Sequence, residues 1–432
     1  MTGSPLFFKE CRDFLRSRTT LLFVLLLAVI IAYSFYAAVD LYSRASEAAI
    51  GNPLYASGFE PVPGIFAPTI GGLFVLLSLL APFLFIPVIG NEKRFNTLPL
   101  LAQLPLSPGA IFGIKFLAVS FSFLLLAIIA CLPTLGFWQL LGGHLPAAEL
   151  ALLGLGYLLY TIFVIAVSLF AAALFDDTSQ AAIFALALIM LSWFIDFGQD
   201  MNILPGGELL SFWTTTRQLK FFEDGILSLQ ATGYFLLLSG GFAFAALILF
   251  DFSRRQKLRP LLIGSIVLGV LFCLNAQLNY NFDCSESHRH SFSPTKIEFL
   301  KQLPPLTIKI GLEPTDSRTR DFRHDFLRKL RLVKRDVNVI YATTKELKKN
   351  YGCFTYTIRN KSATTFSNSE EEIFPLLEKL SGHTLGREKE GTNFRGWPLT
   401  VTGEEWRRWL LIFYLGVLPG LALAGYWKLH RE

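Results

Sequence analysis

The sequence predicts a polytopic α-helical membrane protein with eight transmembrane helices and a small extracytoplasmic α/β domain between the seventh and eighth helices. Three observations predict this fold: eight long runs without charged residues, short basic clusters at alternate boundaries between those runs, and one long polar segment late in the chain. Only 17% of the 432 residues are charged, and the mean hydropathy is +0.47. Soluble domains carry about 25% charged residues, so the composition excludes an ordinary soluble protein.

The charge-free runs are long enough to cross a bilayer, because a spanning helix needs about 20 predominantly apolar residues. The fifth run is short, but Ser179 and Gln180 extend it at little cost. The first run is long, and no small-residue cleavage site follows it, so we expect a span rather than a signal peptide. The eight runs are residues 21–39, 65–90, 116–143, 150–175, 181–195, 229–250, 260–282 and 409–427.

Basic residues at alternate boundaries between the apolar runs predict how the chain is oriented in the membrane. Short loops rich in Lys and Arg stay on the cytoplasmic side, so both termini are expected in the cytoplasm and residues 283–405 outside it. Arg407 and Arg408 run against this assignment, but they end a long segment, where the rule is weak. Anionic lipid head groups account for the net charge of +6, and no nucleic acid is expected as a partner. The clusters that set the orientation are Lys9, Arg12, Arg16, Arg18, Lys93, Arg94, Arg254, Arg255, Lys257, Arg259, Lys428 and Arg431.

The runs and the polar segment divide the chain into five parts. The first has apolar residues at helical spacing, which predicts a short amphipathic helix in the inner interface or a cytoplasmic extension of the first span. The predicted parts are an interfacial helix at 1–18, a six-helix core at 19–251, a seventh helix with its basic inner loop at 252–282, the extracytoplasmic α/β domain at 283–405, and the eighth helix with a cytoplasmic tail at 406–432.

The α/β domain is predicted from short strand and helix patterns. Strands at 306–311 and 337–341, with a helix at 320–333 between them, predict a β-α-β unit. A β-rich stretch at 354–366 and a helix at 370–380 follow.

Two details of this segment depend on single residues. Ser369 and Glu372 predict a capping box for the last helix, whereas Pro375 argues against its continuity. Cys284 and Cys353 either form a disulfide, as in an oxidising compartment, or remain two free thiols.

The sequence carries no catalytic signature. The patterns GxxxxGK[ST], HExxH and GxSxG do not occur, so we expect neither an enzyme nor a cofactor in this chain. The spans lack the buried charged residues that ion-coupled carriers use as relays, and Lys115 is expected to snorkel from the start of the third span. The segment 283–290, DCSESHRH, offers thiolate and imidazole ligands for a metal, but a solvated linker explains it more simply.

The loop between the second and third spans, residues 91–108, has a charged start and apolar residues that need a surface to pack on. Residues 91–118, NEKRFNTLPLLAQLPLSPGAIFGIKFLA, resemble the inner loop of ABC-2 type transporter permeases. Asn96 stands where that family often has Gly. The family's other positions are filled by Glu92, Arg94, Thr97, Leu98, Pro105, Ser107, Pro108, Ile111 and Lys115.

Two further segments carry resemblances. Residues 217–239, RQLKFFEDGILSLQATGYFLLLS, resemble the outer segment of the same family, so the likeness covers residues 1–251. Residues 198–228 are predicted to form short helices that dip towards the bilayer. Residues 291–314 resemble the opening of the gliding-motility auxiliary domain found with such permeases, here much shortened. The outer-segment positions are filled by Phe222, Gly225, Ile226, Leu229, Tyr234 and Phe235.

The resemblance implies a permease of the bacterial inner (cytoplasmic) membrane that acts with a separate dimer of ABC ATPase subunits, which binds ATP and Mg. A second permease subunit, identical or different, would complete the pathway, with the second and fifth spans facing the dimer axis. The ATPase-coupling loop would comprise Glu92, Lys93, Arg94, Phe95, Thr97, Leu98 and Leu101. The outer gate segment would comprise Phe221, Phe222, Gly225 and Ile226.

Three functions fit these observations. The leading hypothesis is a permease subunit that couples ATP hydrolysis in its partner to export of an unidentified substrate. The second is a mechanotransmission subunit that drives a periplasmic or envelope partner through the outer domain. The third is a membrane assembly factor that transports nothing. Apolar spans do not identify the cargo, because the bilayer itself requires them.

Overall fold

A computed structural model of the chain describes residues 3–49, 56, 58–97, 103, 105–200, 213–251, 256–278, 280–313, 316–334, 336–342, 351–359, 361–386 and 395–431. Within these residues, eight helices are long and apolar enough to cross a membrane, as the sequence predicts. We number them as spans one to eight: Arg18–Ala49, Val62–Leu79, Pro108–Leu140, Ala147–Leu174, Thr178–Gly198, Leu229–Phe250, Leu258–Asn275 and Glu405–Leu429.

The chain divides into two compact units, which are described separately. The first unit contains residues 1–196, 206–284 and 395–432, and therefore most of the spans. The second contains residues 197–205 and 285–394.

Span four lies at the centre of the first unit and is the most buried of the eight spans, whereas span seven is the least buried. Small side chains on span four allow its neighbours to approach closely. At Gly156, a Cβ atom would lie 2.5 Å from the Cβ of Phe222. Span one continues past its apolar run to Ala49, and Arg44 pairs there with Asp40 one turn earlier, at 2.7 Å.

Span two consists of more than one helical piece, and further helical pieces continue beyond its end at Leu79. The helical pieces are Val62–Phe66, which is π-helical, Ala67–Leu79, Ala81–Phe85 and Pro87–Arg94. Pro68, Pro82 and Pro87 stand at the starts of the last three pieces, where the missing N–H of proline is tolerated. The last piece carries Glu92, Lys93 and Arg94 as an extension of the span, so these residues lie on a helix rather than on the connecting loop.

Two shorter helices and a ribbon complete the first unit. The helix Gly3–Leu15 precedes span one, and the helix Thr215–Glu223 precedes span six. Strand β1, Ile226–Ser228, pairs antiparallel with strand β2, Asn281–Asp283.

The second unit contains a four-stranded mixed sheet with the order β4-β3-β5-β6. Its strands are β3 Leu306–Ile310, β4 Val337–Tyr341, β5 Phe354–Ile358 and β6 Lys361–Thr365. Strands β3 and β4 are parallel and joined through a helix, which confirms the predicted β-α-β unit. That helix consists of Ser317–Asp321, a π-helical piece Phe322–Leu327, and Arg328–Val333. The helices Pro294–Gln302 and Glu370–Ser381 complete the unit.

Strand alternation places the core of the second unit on one face of the sheet. Ile308 and Tyr356 are fully buried there, together with Phe322 and Leu377 from the helices. Burial alternates along β3 and β5, as a sheet covered on one face requires. The unit therefore has a hydrophobic core of its own.

The end of the second unit corrects two expectations. The helix Glu370–Ser381 is continuous through Pro375. Ser369 occupies the N-cap position, but its side chain makes no capping hydrogen bond, so the predicted capping box is wrong. The Glu372 carboxylate instead accepts a hydrogen bond from Thr365 Oγ1 at 3.0 Å. Neither Cys284 nor Cys353 forms a disulfide in the structure.

Candidate functional site

A buried ion cluster joins three separate elements at one end of the first unit. Lys115 Nζ lies 2.6 Å from Glu92 Oε1 and 2.9 Å from Glu10 Oε2, so span three is tied to the extension of span two and to the N-terminal helix. Lys115 is fully buried and Glu10 nearly so. The expectation that Lys115 snorkels outwards is therefore wrong: its ammonium group is held by two carboxylates inside the protein.

The cluster is electrostatically demanding because it buries two carboxylates against one ammonium group. Burial raises the pKa of Glu92, and the attraction of Lys115 opposes that rise. Removing one partner from a buried ion pair costs about 3–5 kcal/mol, since an uncompensated charge stays behind. Lys115, Glu92 and Glu10 therefore stabilise the contact between their three helices only when all three side chains are present.

Lys93 binds the carboxyl end of span four. Its Nζ donates hydrogen bonds to the carbonyl oxygens of Ala173, at 2.6 Å, and Phe175, at 3.1 Å, and lies 3.6 Å from Asp176 Oδ1. The last carbonyl groups of a helix lack partners within it and carry partial negative charge. Burial lowers the pKa of Lys93, Asp176 opposes this shift, and the nearby positive charge of Lys257 adds to it.

Basic residues cap two more spans in the same way. Lys257 Nζ donates to the carbonyl of Leu249, near the end of span six, at 2.7 Å. Arg12 Nη2 donates to the carbonyl of Leu429, the last residue of span eight, at 3.4 Å. The end of the bundle at which Glu10, Glu92, Lys93 and Lys115 meet is called the basic end below. Several residues that predict the orientation thus also satisfy helix ends.

The predicted coupling residues separate into inward-facing and outward-facing groups. Glu92 and Lys93 point into the bundle, whereas Arg94 and Phe95 are exposed, with 68% of Phe95 accessible. Thr97 is half-buried, and its backbone N–H donates to the Glu92 carbonyl at 3.0 Å. Leu98 and Leu101 lie outside the described residues.

The backbone of Asn96 forms the turn that follows Phe95. Its φ angle is +52°, in the left-handed region that Gly and Asn adopt most readily. The Gly that the sequence resemblance leads us to expect at this position would adopt the same backbone conformation.

Packing contacts brace the helix that carries Phe95. Phe14 of the N-terminal helix stacks on Phe85 with ring centroids 6.2 Å apart. At Gly90, a Cβ atom would lie 2.6 Å from the methyl group of Thr178, so the extension of span two lies directly against the start of span five. Phe95 therefore projects from a helix end that is fixed to four other elements: the N-terminal helix and spans three, four and five.

The segment before span six forms the second candidate site. Thr214 caps the helix Thr215–Glu223, and its Oγ1 donates to Asp196 Oδ1 at 2.7 Å. Thr216 Oγ1 donates to the other oxygen of the same carboxylate. Ser192 Oγ accepts the backbone N–H of Thr215 at 2.8 Å. The helix is thus hydrogen-bonded to span five, and one of the predicted short helices is present.

The predicted gate residues pack mainly on span four. Phe222 is fully buried, Ile226 nearly so, and Phe221 only partly. Gly225 has a φ of +73°, which lets the chain turn from the helix into β1. Beside them, Glu223 accepts a hydrogen bond from the hydroxyl of Tyr157 at 2.9 Å. Burial raises the pKa of Glu223, and the hydrogen bond from Tyr157 opposes this shift.

Sequence reasoning missed several members of both sites. Glu10 and Tyr157 were not singled out, because their partners are distant in the chain. The one available signal was Lys115, a charge followed immediately by a long charge-free run. In the part of the chain that the structure describes, no group of three or more His, Cys, Asp or Glu side chains is arranged to hold a metal ion.

Residues 5–203 match the family of ABC-2 family transporter proteins. Over these residues, which are just under half of the chain, the sequence is similar to ABC-2 family transporter proteins. The match includes the N-terminal helix, spans one to five, and the ion cluster of Glu10, Glu92 and Lys115. The helix Thr215–Glu223, spans six to eight and the α/β unit lie beyond it. No curated protein and no solved structure matches the chain.

Proposed function

We propose that the chain is the membrane-spanning permease subunit of an ABC-2 type transporter and that it couples ATP hydrolysis by a separate subunit to export. The family match over residues 5–203 supports the class. The sequence contains no GxxxxGK[ST] pattern, so ATP and Mg are assigned to the partner ATPase dimer. The basic end is assigned to the cytoplasm, in line with the positive-inside rule.

The exposed Phe95 on a braced helix end is the observation that carries this proposal. Arg94 and Phe95 offer a polar and an apolar contact to a groove on the ATPase. Force applied to them would pass through Glu92 and Lys115 to span three, and through Lys93 to span four. Packed helices respond to such a push by rigid-body movement. A second permease subunit, identical or different, would complete the pathway.

The test is copurification of the ATPase with a Phe95→Asp chain. We expect the variant to lose most of the ATPase that wild type retains, because a carboxylate is costly in an apolar groove. Phe366→Asp is the control, since Phe366 is equally exposed but belongs to the α/β unit. If a monodisperse Phe95→Asp chain retains the ATPase as wild type does, the coupling role is wrong.

Mechanotransmission is the second candidate function, and the separate hydrophobic core of the α/β unit favours it. A unit that folds around its own core could hold an envelope partner, and residues 291–314 resemble the opening of a gliding-motility auxiliary domain. The test replaces residues 286–394 with a flexible linker. Residues 395–404 are kept, because the Trp397 N–H donates to the Phe59 carbonyl and the Val401 N–H to Ser43 Oγ.

This replacement distinguishes export from mechanotransmission. Unchanged export by the shortened chain supports a permease whose α/β unit is dispensable. Loss of an envelope partner with ATPase coupling intact supports mechanotransmission. If the wild-type chain retains no ATPase at all, the assembly-factor hypothesis replaces both.

A further inference from the structure

We propose that the outward face of the β1–β2 ribbon is a lipid-binding surface that lies in the interfacial layer of the bilayer. The ribbon consists of Ile226–Ser228 and Asn281–Asp283. This inference goes beyond the proposed function and does not depend on it, since it requires only that the spans lie in a membrane.

The two faces of the ribbon differ in burial, most clearly at Ile226 and Phe282. Side chains alternate between the faces of a strand, and Leu227 pairs directly with Phe282. On the inward face, Ile226 and Ser228 are buried against the first unit. On the outward face, Phe282 is 56% exposed and Leu227 is half-buried.

One further pair extends the outward face. The N–H of Leu229 donates to the carbonyl of Tyr280 at 3.1 Å, which continues the antiparallel pattern. Tyr280 is 63% exposed, and Leu229 is exposed as well. The outward face therefore presents two aromatic rings and two leucine side chains, and no charge.

Close contacts fix the ribbon to the ends of two spans. Leu229 is the first residue of span six, and Asn275 is the last residue of span seven. Asn275 Nδ2 donates to the carbonyl of Gln230 at 3.0 Å. At Gly233, a Cβ atom would lie 2.1 Å from Asn275 Oδ1, so the two spans meet tightly beside the ribbon. The ribbon thus lies where two membrane-spanning helices end.

Continuity with the surface of span seven identifies the occupant as lipid. Span seven is the least buried span and exposes apolar side chains such as Val270 and Leu274. The exposed apolar residues continue through Leu278 to Tyr280 and Phe282. In water this would be a large apolar patch, which soluble surfaces avoid. Aromatic rings at the end of a span favour the head-group layer instead.

The first experiment measures the surroundings of residue 282 with a spin label. The variant replaces the five native cysteines with Ser and carries Phe282→Cys, labelled with a nitroxide and reconstituted in phosphatidylcholine vesicles. Val270→Cys is the control for lipid exposure and Phe366→Cys the control for water exposure, since both side chains are exposed. We expect the ratio of collision with oxygen to collision with a water-soluble nickel complex at residue 282 to lie between the high ratio at Val270 and the low ratio at Phe366, as for a label in the head-group layer.

Two results of the spin-label experiment overturn the proposal. One is a label at residue 282 that behaves like that at Phe366, in water. The other is a label shielded from both probes, which means that protein covers the ribbon. The wild-type chain provides a measurement without any substitution: a photoactivatable phosphatidylcholine should label the peptide containing Tyr280 and Phe282. Labelling of span seven without labelling of that peptide contradicts the proposal.

Discussion

Arg407 Nη2 donates to Asp40 Oδ1 at 3.1 Å and thereby joins the start of span eight to span one. The same guanidinium group lies over the ring of Tyr36, 5.2 Å from its centroid. Arg407 is one of the two basic residues that run against the orientation predicted from sequence, and the structure shows that it has a structural role between two spans.

The Arg407–Asp40 pair should make a modest contribution to stability. Both side chains are partly exposed, so we expect Arg407→Ala to lower the free energy of unfolding by about 1 kcal/mol. A double-mutant cycle with Asp40→Ala isolates the pair, because Asp40 also binds Arg44. Arg408→Ala, at an exposed neighbouring position, is the control and should change little. A coupling energy of zero between residues 40 and 407 contradicts this account.

Lys115 should be far more important than its single positive charge suggests. Lys115→Met leaves the Glu10 and Glu92 carboxylates buried without their cation, so we expect a loss of about 3–5 kcal/mol in unfolding free energy. Lys9→Met is the control, because Lys9 also pairs with Glu10 but its own side chain is about half-exposed, so its removal leaves Lys115 to neutralise the buried carboxylates. Adding Glu10→Gln and Glu92→Gln to Lys115→Met should restore most of the stability by removing the unpaired charge. Denaturation in detergent measures all of these variants, and failure of the neutral triple variant to recover refutes the explanation.

The sequence predicts those parts of the fold that depend on a local pattern of residues. It does not predict the ion cluster, which depends on contacts between distant parts of the chain. Eight apolar runs predict eight spans because length and charge alone decide whether a helix can cross a membrane. Strand β4 was predicted with its observed bounds, since its apolar alternation is local. Glu10 and Lys115, in contrast, are separated in the chain by spans one and two, and no pattern within one sequence pairs them. Lys93 illustrates the same limit: its charge predicted an orientation, but its carbonyl partners on span four became visible only in three dimensions.

Glu92 should give the chain a pH dependence of definite sign. Burial raises its pKa above the ordinary carboxyl value. Between the ordinary and the raised value, the folded chain binds more protons than the unfolded chain, so the free energy of unfolding falls as pH rises through that window. Glu92→Gln removes this dependence. Denaturation midpoints across acidic pH measure the difference between wild type and variant, and a difference that grows in favour of wild type with rising pH would have the wrong sign.

Gly156 should be important for the packing of the helix Thr215–Glu223 on span four. A Cβ atom there would lie 2.5 Å from the Cβ of Phe222, which is attached directly to the backbone and cannot rotate away. We expect Gly156→Ala to destabilise the chain by about 1–3 kcal/mol through overpacking. Gly154→Ala is a matched control on the same helix, because nothing lies within 4 Å of its added methyl group. It should be neutral or slightly stabilising, since alanine favours a helix. Equal thermal midpoints for the two variants would show that the helix Thr215–Glu223 does not pack against span four as closely as the structure has it.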